Sequence, residues 1–438
     1  MTEQTATAAQ RSAASGPPQL SGPVIDLTLY GESVIRDPYP FYAELRRRGP
    51  AHLVRMADGV PVWLVVGHDQ ARAVLADPRF SKVWANAALP EFLGERADFT
   101  AHMLNSDPPR HTRLRRLVSR EFTPRRIAGL QPRVRQLTDT LLDAMLARPG
   151  RRADLVAALS FPLPISVICE LLGVPGLDRE KFRRWTAALL GDTTAPPGAA
   201  APDLAAAQPA GDDPGEPAPQ AMNRYLTELV AAKRERPGED LMSALIRTHD
   251  EDGDRLSPAE LVGMAFLLLV AGHETTVNLI TNAVLALLTH PEQLAALRAD
   301  PDGLLDAAIE ETLRWDGPVE RATYRFPTEP VDLGGTRIPA GHPVLVVLAS
   351  AGRDPGQYPD ADRFDIHRPA RPHLAFGHGI HYCLGAPLAR LEARVALRAL
   401  LDRCPGLALD TERAAGPEEL PWRPGLIMRG PSALPVRY

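Results

Sequence analysis

The chain has 438 residues, 45% of them hydrophobic, with 49 Lys and Arg against 54 Asp and Glu for a formal net charge of −5. That length buries a large core, and that charge balance gives no support to nucleic-acid binding. The three cysteines, Cys169, Cys383 and Cys404, form no paired disulfide framework, as expected in a reducing compartment.

Residues 1–22 are rich in Ala, Ser, Thr and Gln without a continuous apolar run, so they read as a disordered tail and not as a signal peptide or anchor. A strand is expected over residues 61–66, Pro-Val-Trp-Leu-Val-Val. In Asp107-Pro108-Pro109-Arg110-His111-Thr112-Arg113-Leu114-Arg115-Arg116, His111 and Arg115 stand four apart and share a helix face. Arg113, Arg116 and Arg120 project on the other side. Two amphipathic stretches, 178–190 and 222–234, flank residues 193–220, which are mostly Ala, Pro, Gly and acid with Leu204 as the one large apolar residue. Such a segment packs no core and is expected to be mobile.

Ser257-Pro258-Ala259-Glu260 is a capping box with proline at the first helical position, and its helix is expected to run to His290, where Pro291 stops it. At about 1.5 Å per residue this helix spans roughly 50 Å. Residues 261–271 are almost wholly apolar, and then come Gly272-His273-Glu274-Thr275-Thr276. Polar groups inside a buried helix need partners or work to do. Thr275 and Thr276 bonding to carbonyls one turn earlier, with Glu274 beside a buried base, is one solution; a reactive site is the other. A helix from about Asp302 carries Glu311 and Arg314 on one face. Gly334 and Gly335, between two short strands, mark a hairpin turn of positive φ.

Phe376-Gly377-His378-Gly379-Ile380-His381-Tyr382-Cys383-Leu384-Gly385 sets Cys383 on a glycine-loosened loop before a helix expected over residues 386–397, with Pro387 in its first turn. The unpaired amides and macrodipole of that helix start are expected to lower the thiol pKa and suit the sulfur to a metal. A thiolate on heme iron favours O–O cleavage. Zinc held by His378, His381 and Cys383 is a second reading, although no C-x-x-C accompanies them. A cysteine nucleophile served by a histidine, or a plain buried cysteine, are the others.

Residues 376–390 resemble the F-G-x-G-x-H-x-C-x-G-x-x-L-A-R signature of the cytochrome P450 heme-thiolate monooxygenases. Residues 271–276 resemble the family's A-G-x-[DE]-T-T motif, 107–115 its D-P-P-x-H-x-x-x-R pattern, and 311–314 its E-x-x-R pair. Residues 353–355 and 364–369 resemble the segment before its ligand loop, with Gly352 where asparagine is frequent. The resemblance runs from about Asp26 to the C-terminus. It implies the cytochrome P450 fold, mainly α with a minor β region, as one heme domain over residues 23–438.

The same resemblance implies heme b with Cys383 as axial ligand, and His111, Arg115, Arg325 and His381 at the propionates. It makes Glu274 the acid and Thr275 the alcohol that relay protons during oxygen activation, and Glu311–Arg314 a structural brace. Stretches 178–190 and 222–234 correspond in order to the helices roofing the substrate cavity, and the pliable segment between them suits a bulky substrate. Residues 268–280 and 323–327 resemble actinobacterial macrolide hydroxylases of the pikromycin type, implying hydroxylation of an unactivated C–H on a polyketide macrolide in antibiotic biosynthesis. Glu91, Glu95 and Asp98 would then border the cavity, near the ammonium of an amino sugar. The implied enzyme is cytoplasmic, has no membrane or nucleic-acid partner, and takes electrons from ferredoxin and ferredoxin reductase, with Arg113, Arg116 and Arg120 as a docking patch. Epoxidation, oxidative coupling and a non-catalytic heme sensor or carrier are the alternatives.

Overall fold

Alternating apolar residues build a small sheet in the order Ile25–Asp26, Ala51–Arg55, Pro61–Val65, Val344–Val346. The computed structural model describes residues 24–27, 31–56, 59–89, 101–175, 181–182, 185–186, 217–248, 253–413 and 416–438. Leu53 pairs with Trp63 in the antiparallel hairpin, and Trp63 with Val344 in parallel. Leu53, Trp63, Val65 and Val344 pack on one face, and Val54, Val62, Leu64 and Leu345 on the other, the period of two that a strand imposes. The expected strand is present and ends at Val65. The expected hairpin pairs Val331–Leu333 with Thr336–Ile338, and Gly334 and Gly335 take φ of 60° and 86°.

Helices form the rest of the core. The longest, Pro258–Thr289, has 32 residues, and both halves of its capping box are made: Glu260 N–H donates to Ser257 Oγ at 3.2 Å and Ser257 N–H to Glu260 Oε2 at 3.0 Å. By length and composition it is apolar enough to cross a membrane, but 67% of its most apolar window is buried within the protein. It packs against Pro162–Leu172, Ala218–Glu235, Pro301–Asp316 and Ala386–Arg403.

The Ala218–Glu235 helix corrects one boundary. Residues 218–220, assigned above to the low-complexity segment, are helical, because Ala218 and Ala221 are small enough to be buried beside Met222, Leu226 and Val230. Of the 178–190 stretch, residues 181–182 and 185–186 are described and are helical. Phe182 meets Trp185 and Tyr225 edge-on, with ring centroids 5.2 and 5.0 Å apart. The expected tail at 1–22, the carboxylates Glu91, Glu95 and Asp98, and residues 193–216 lie outside the described residues.

Arg314 anchors the segment that precedes the cysteine loop. Its Nε and Nη2 each donate to Glu311 at 2.7 Å, Nη1 donates to the carbonyls of Gly352 and Ala361 at 2.7 and 2.8 Å, and Nη2 donates to Arg363 at 2.9 Å. Glu311 also accepts from Asp365 N–H at 2.9 Å and Arg368 Nε at 3.2 Å. Gly352 is required by this closeness, since a Cβ there would lie 2.1 Å from the Arg314 carbonyl oxygen.

Candidate active site

The cysteine loop is folded back on itself, with Cys383 N–H donating to the Phe376 carbonyl at 2.9 Å. Gly379 has φ of 73°, and a Cβ on it would lie 2.8 Å from the Leu75 carbonyl oxygen, so the loop rests on the end of the His68–Ala76 helix. Behind it, Arg390 donates to Glu310 at 2.6 and 2.8 Å while its guanidinium sits 4.5 Å from the Phe376 ring centre. His373 Nε2 lies 3.1 Å from the same carboxylate. Burial would raise the Glu310 pKa, but Arg390 and His373 outweigh it and hold the group down at about 2.

Cys383 is exposed by surface area, yet burial is the foremost influence on its thiol and raises the pKa. A side chain both accessible and desolvated lines an internal recess, not the outer surface. The expected depression of the thiol pKa is not found in the protein alone. The Gly385 and Ala386 amides, Arg115 and Arg390 all pull it down, but desolvation is larger.

A second accessible strip interrupts the Pro258–Thr289 helix. Ala271 is exposed and Val270, Gly272 and Thr275 are partly so, although their neighbours on the helix are mostly buried. The Thr275 hydroxyl donates to the Ala271 carbonyl at 2.8 Å. Glu274 is buried and ion-paired with Arg423, and His273 Nε2 stands 3.6 Å from its other oxygen. His273 is wholly buried, with Nδ1 2.7 Å from the Leu269 carbonyl; burial lowers its pKa against the pull of Glu274. The two candidate catalytic residues therefore have different partners. Arg423 carries no local signal, since it lies far downstream of Glu274.

The predicted cations converge with others. His111 is buried with neither ring nitrogen partnered, and its ring centre is 4.3 Å from that of His381. Arg325 is buried with Nε unpartnered, and burial holds it down at about 10 against the pull of Asp107. Arg115 is lowered by burial and favoured by Cys383. His381 falls to about 2, first through burial and then through Arg325, His111, Lys82 and Arg115. Lys82 and His102 were missed in the sequence. Lys82 is buried, and His102 is pushed down to about 4 by burial and then by Lys82. Asp107 opposes this group, accepting from Lys82 N–H at 2.9 Å and from the Ser81 hydroxyl.

One expected cation is diverted. Arg113 donates to both oxygens of Glu260 at 3.0 Å and pairs with Asp254, so it does not belong to a docking patch with Arg116 and Arg120. Its planar fork matches the carboxylate that also caps the long helix.

Buried guanidinium and imidazole nitrogens without partners are costly. Lys82, Arg115 and Arg325 set against Asp107 fit a ligand carrying two carboxylates, and an accessible thiol beside them fits that ligand's metal. The family profile described as Cytochrome P450 matches residues 30–413. The chain belongs to the cytochrome P450 family. Membership implies heme iron with thiolate ligation, and this P450 is a monooxygenase. It is 59% identical over 420 residues to the cytochrome P450 monooxygenase PikC of Streptomyces venezuelae, covering 95% of each chain. It is 44% identical over 419 residues to the 6-deoxyerythronolide B hydroxylase of Saccharopolyspora erythraea, covering 93% of this P450 and 98% of that protein. The ligand-free structure of the P450 monooxygenase TamI superposes with a TM-score of 0.80 at 44% identity, covering 95% of this chain and 94% of that one.

Proposed function

We propose that this P450 hydroxylates an unactivated C–H bond of a bulky polyketide macrolide in antibiotic biosynthesis, working in the cytoplasm with heme b, O2 and electrons from ferredoxin and its reductase. The observation that carries the reading is the accessible, desolvated Cys383 together with the accessible break at Ala271–Thr275 in an otherwise buried helix. Bound heme supplies the activation of O2 and the transfer of one oxygen atom to carbon.

The chain's residues do the rest. Cys383 would hold the iron, and Arg115 and Arg325, with His111 and His381, would meet the propionates. Planar guanidinium groups suit carboxylates. Ala271 keeps the helix wall low on the accessible side; on the other, a Cβ at Gly272 would lie 2.9 Å from Ile168 Cδ1, so the room for a guest is not there. Thr275 Oγ gives its hydrogen to the Ala271 carbonyl and keeps lone pairs for a proton donor. Glu274, held by Arg423, takes a proton at a carboxylate oxygen and hands it through ordered water toward Thr275 Oγ. The substrate class is supported by the likeness of residues 268–280 and 323–327 to macrolide hydroxylases, and by the identity to PikC and to a hydroxylase named for 6-deoxyerythronolide B. Arg116 and Arg120, both exposed, lie on the surface where a ferredoxin would dock.

The test is a spectral titration of the heme-loaded protein with macrolactones, their amino-sugar glycosides and a secosteroid. Turnover with ferredoxin, its reductase, NADPH and isotope-labelled O2 follows. A macrolide that displaces the iron-bound water and gains one labelled oxygen is the expected result. Binding confined to the secosteroid overturns the substrate class, and a coupled product without labelled oxygen overturns hydroxylation. A reduced, carbon monoxide-treated sample without the thiolate-type band overturns Cys383 as ligand.

A further inference from the structure

We infer that Lys82 is a further cofactor-binding cation, whose buried ammonium, set beside Arg325, completes the charge balance at the heme carboxylates and so governs heme retention and midpoint potential. The inference rests on the placement of His111, Arg115, Arg325 and His381 at those carboxylates, and adds a residue that no motif contains.

Strand register brings the two cations together. Phe80–Ser81 pairs antiparallel with Phe326–Pro327, Phe80 opposite Pro327 and Ser81 opposite Phe326; one step further places Lys82 opposite Arg325. Both are deeply buried, at 2% and 5% exposure. Like charges directly opposite in a sheet are destabilising. Lys82 Nζ donates to the Thr323 hydroxyl at 2.6 Å and to the Tyr324 carbonyl, which are neutral acceptors. Neither Lys82 nor Arg325 forms an ion pair among the described residues.

Charge counting gives the ammonium its role. Lys82, Arg115 and Arg325 contribute three positive charges and Asp107 one negative, leaving two, which the two carboxylates of a heme cancel. Without Lys82 one carboxylate is uncompensated. A lysine needed merely to tie Thr323 and Tyr324 together has neutral substitutes, and burying a charge for that task alone is unfavourable. The ammonium also acts on His102, opposing its protonation. A positive charge near the heme favours the added electron of the ferrous state.

The experiment compares heme-loaded wild type with Lys82→Met, Arg325→Gln and Asp107→Asn. The readouts are the rate of heme transfer to a heme-scavenging apoprotein and the ferrous-to-ferric ratio at fixed solution potential. Lys82→Met is expected to lose heme roughly tenfold faster and to lower the ratio roughly tenfold, about 59 mV for a one-electron couple. Asp107→Asn is expected to move the ratio the opposite way. If Arg325→Gln changes both readouts and Lys82→Met changes neither, the inference about Lys82 fails while the carboxylate assignment stands. If neither variant changes them, the assignment itself fails. Should Lys82→Met not fold, Asp107→Asn decides, and an unchanged or lowered ratio overturns the inference.

Discussion

Arg314→Lys isolates what a planar, five-bond anchor does for the cysteine loop. Arg314 donates five hydrogen bonds, two to Glu311 and one each to the carbonyls of Gly352, Ala361 and Arg363. An ammonium has three donors on one atom, so at least two of those five charge-assisted bonds are lost, even though Arg368 and the Asp365 amide still serve Glu311 and Arg363. Arg314 and Glu311 are 3% and 4% exposed, and water does not replace what is lost. A hydrogen bond involving a charged group contributes about 1.5–3 kcal/mol, so the pair of losses comes to roughly 3–6 kcal/mol, against a total stability of roughly 5–15 kcal/mol. The Arg394–Asp306 pair, 45% and 67% exposed, is the control, and its loss costs about 0–1 kcal/mol. Denaturant unfolding followed by heme absorbance and by circular dichroism, with the heme-to-protein ratio, measures both. Arg314→Lys is expected to release heme and unfold at much lower denaturant, and Arg394→Ala to behave like the parent. A fully heme-loaded Arg314→Lys with the parental midpoint refutes the reasoning.

Three further outcomes follow from the same contacts. Gly352→Ala drives a Cβ against the Arg314 carbonyl, and overpacking of this kind costs about 1–3 kcal/mol; thermal unfolding should shift down, and Gly352→Asn further, whereas unchanged melting would show that the backbone yields freely. Glu392 is buried with Oε2 unpartnered, and burial raises its pKa well above the ordinary 4.5. A carboxyl raised in the folded state contributes stability that is full below its unfolded pKa and declines as pH rises past it, so Glu392→Gln should match the parent in acid and exceed it at neutral pH; parallel stability–pH curves count against this. Arg423→Gln deprives Glu274 of its cation while leaving the Thr275–Ala271 hydrogen bond alone, so product formed per NADPH consumed should fall severalfold with the heme spectrum unchanged. Unaltered coupling in that variant removes Arg423 from the proton route.

What was legible in the sequence is what neighbouring residues decide. The capping box at Ser257 and Glu260, the stop before Pro291, the turn at Gly334–Gly335 and the Glu311–Arg314 spacing all act within a few residues, and the fold contains each of them. Partners brought together by tertiary packing were not legible. Arg423 reaches Glu274 from the C-terminal segment, Lys82 meets Arg325 through a strand pairing of two residues a side, and Arg113 turns to Glu260 instead of solvent. The thiol of Cys383 shows the same limit, because the helix start is local and burial is not. Composition misjudged Ala218, which reads as loop in an Ala-Pro-Gly run but is buried against the core.

The Pro258–Thr289 helix also sets an order of events during synthesis. Two of its packing partners, Pro162–Leu172 and Ala218–Glu235, have left the ribosome before it; two others, Pro301–Asp316 and Ala386–Arg403, come after. Making the chain from His290 to Arg403 at roughly 5–20 residues per second takes on the order of ten seconds. For that interval a segment hydrophobic enough to pass for a membrane span stands half uncovered in the nascent chain, open to insertion machinery and to other nascent chains. Recombinant yield is therefore expected to track chaperone capacity and translation speed more closely than the thermal stability of the finished enzyme.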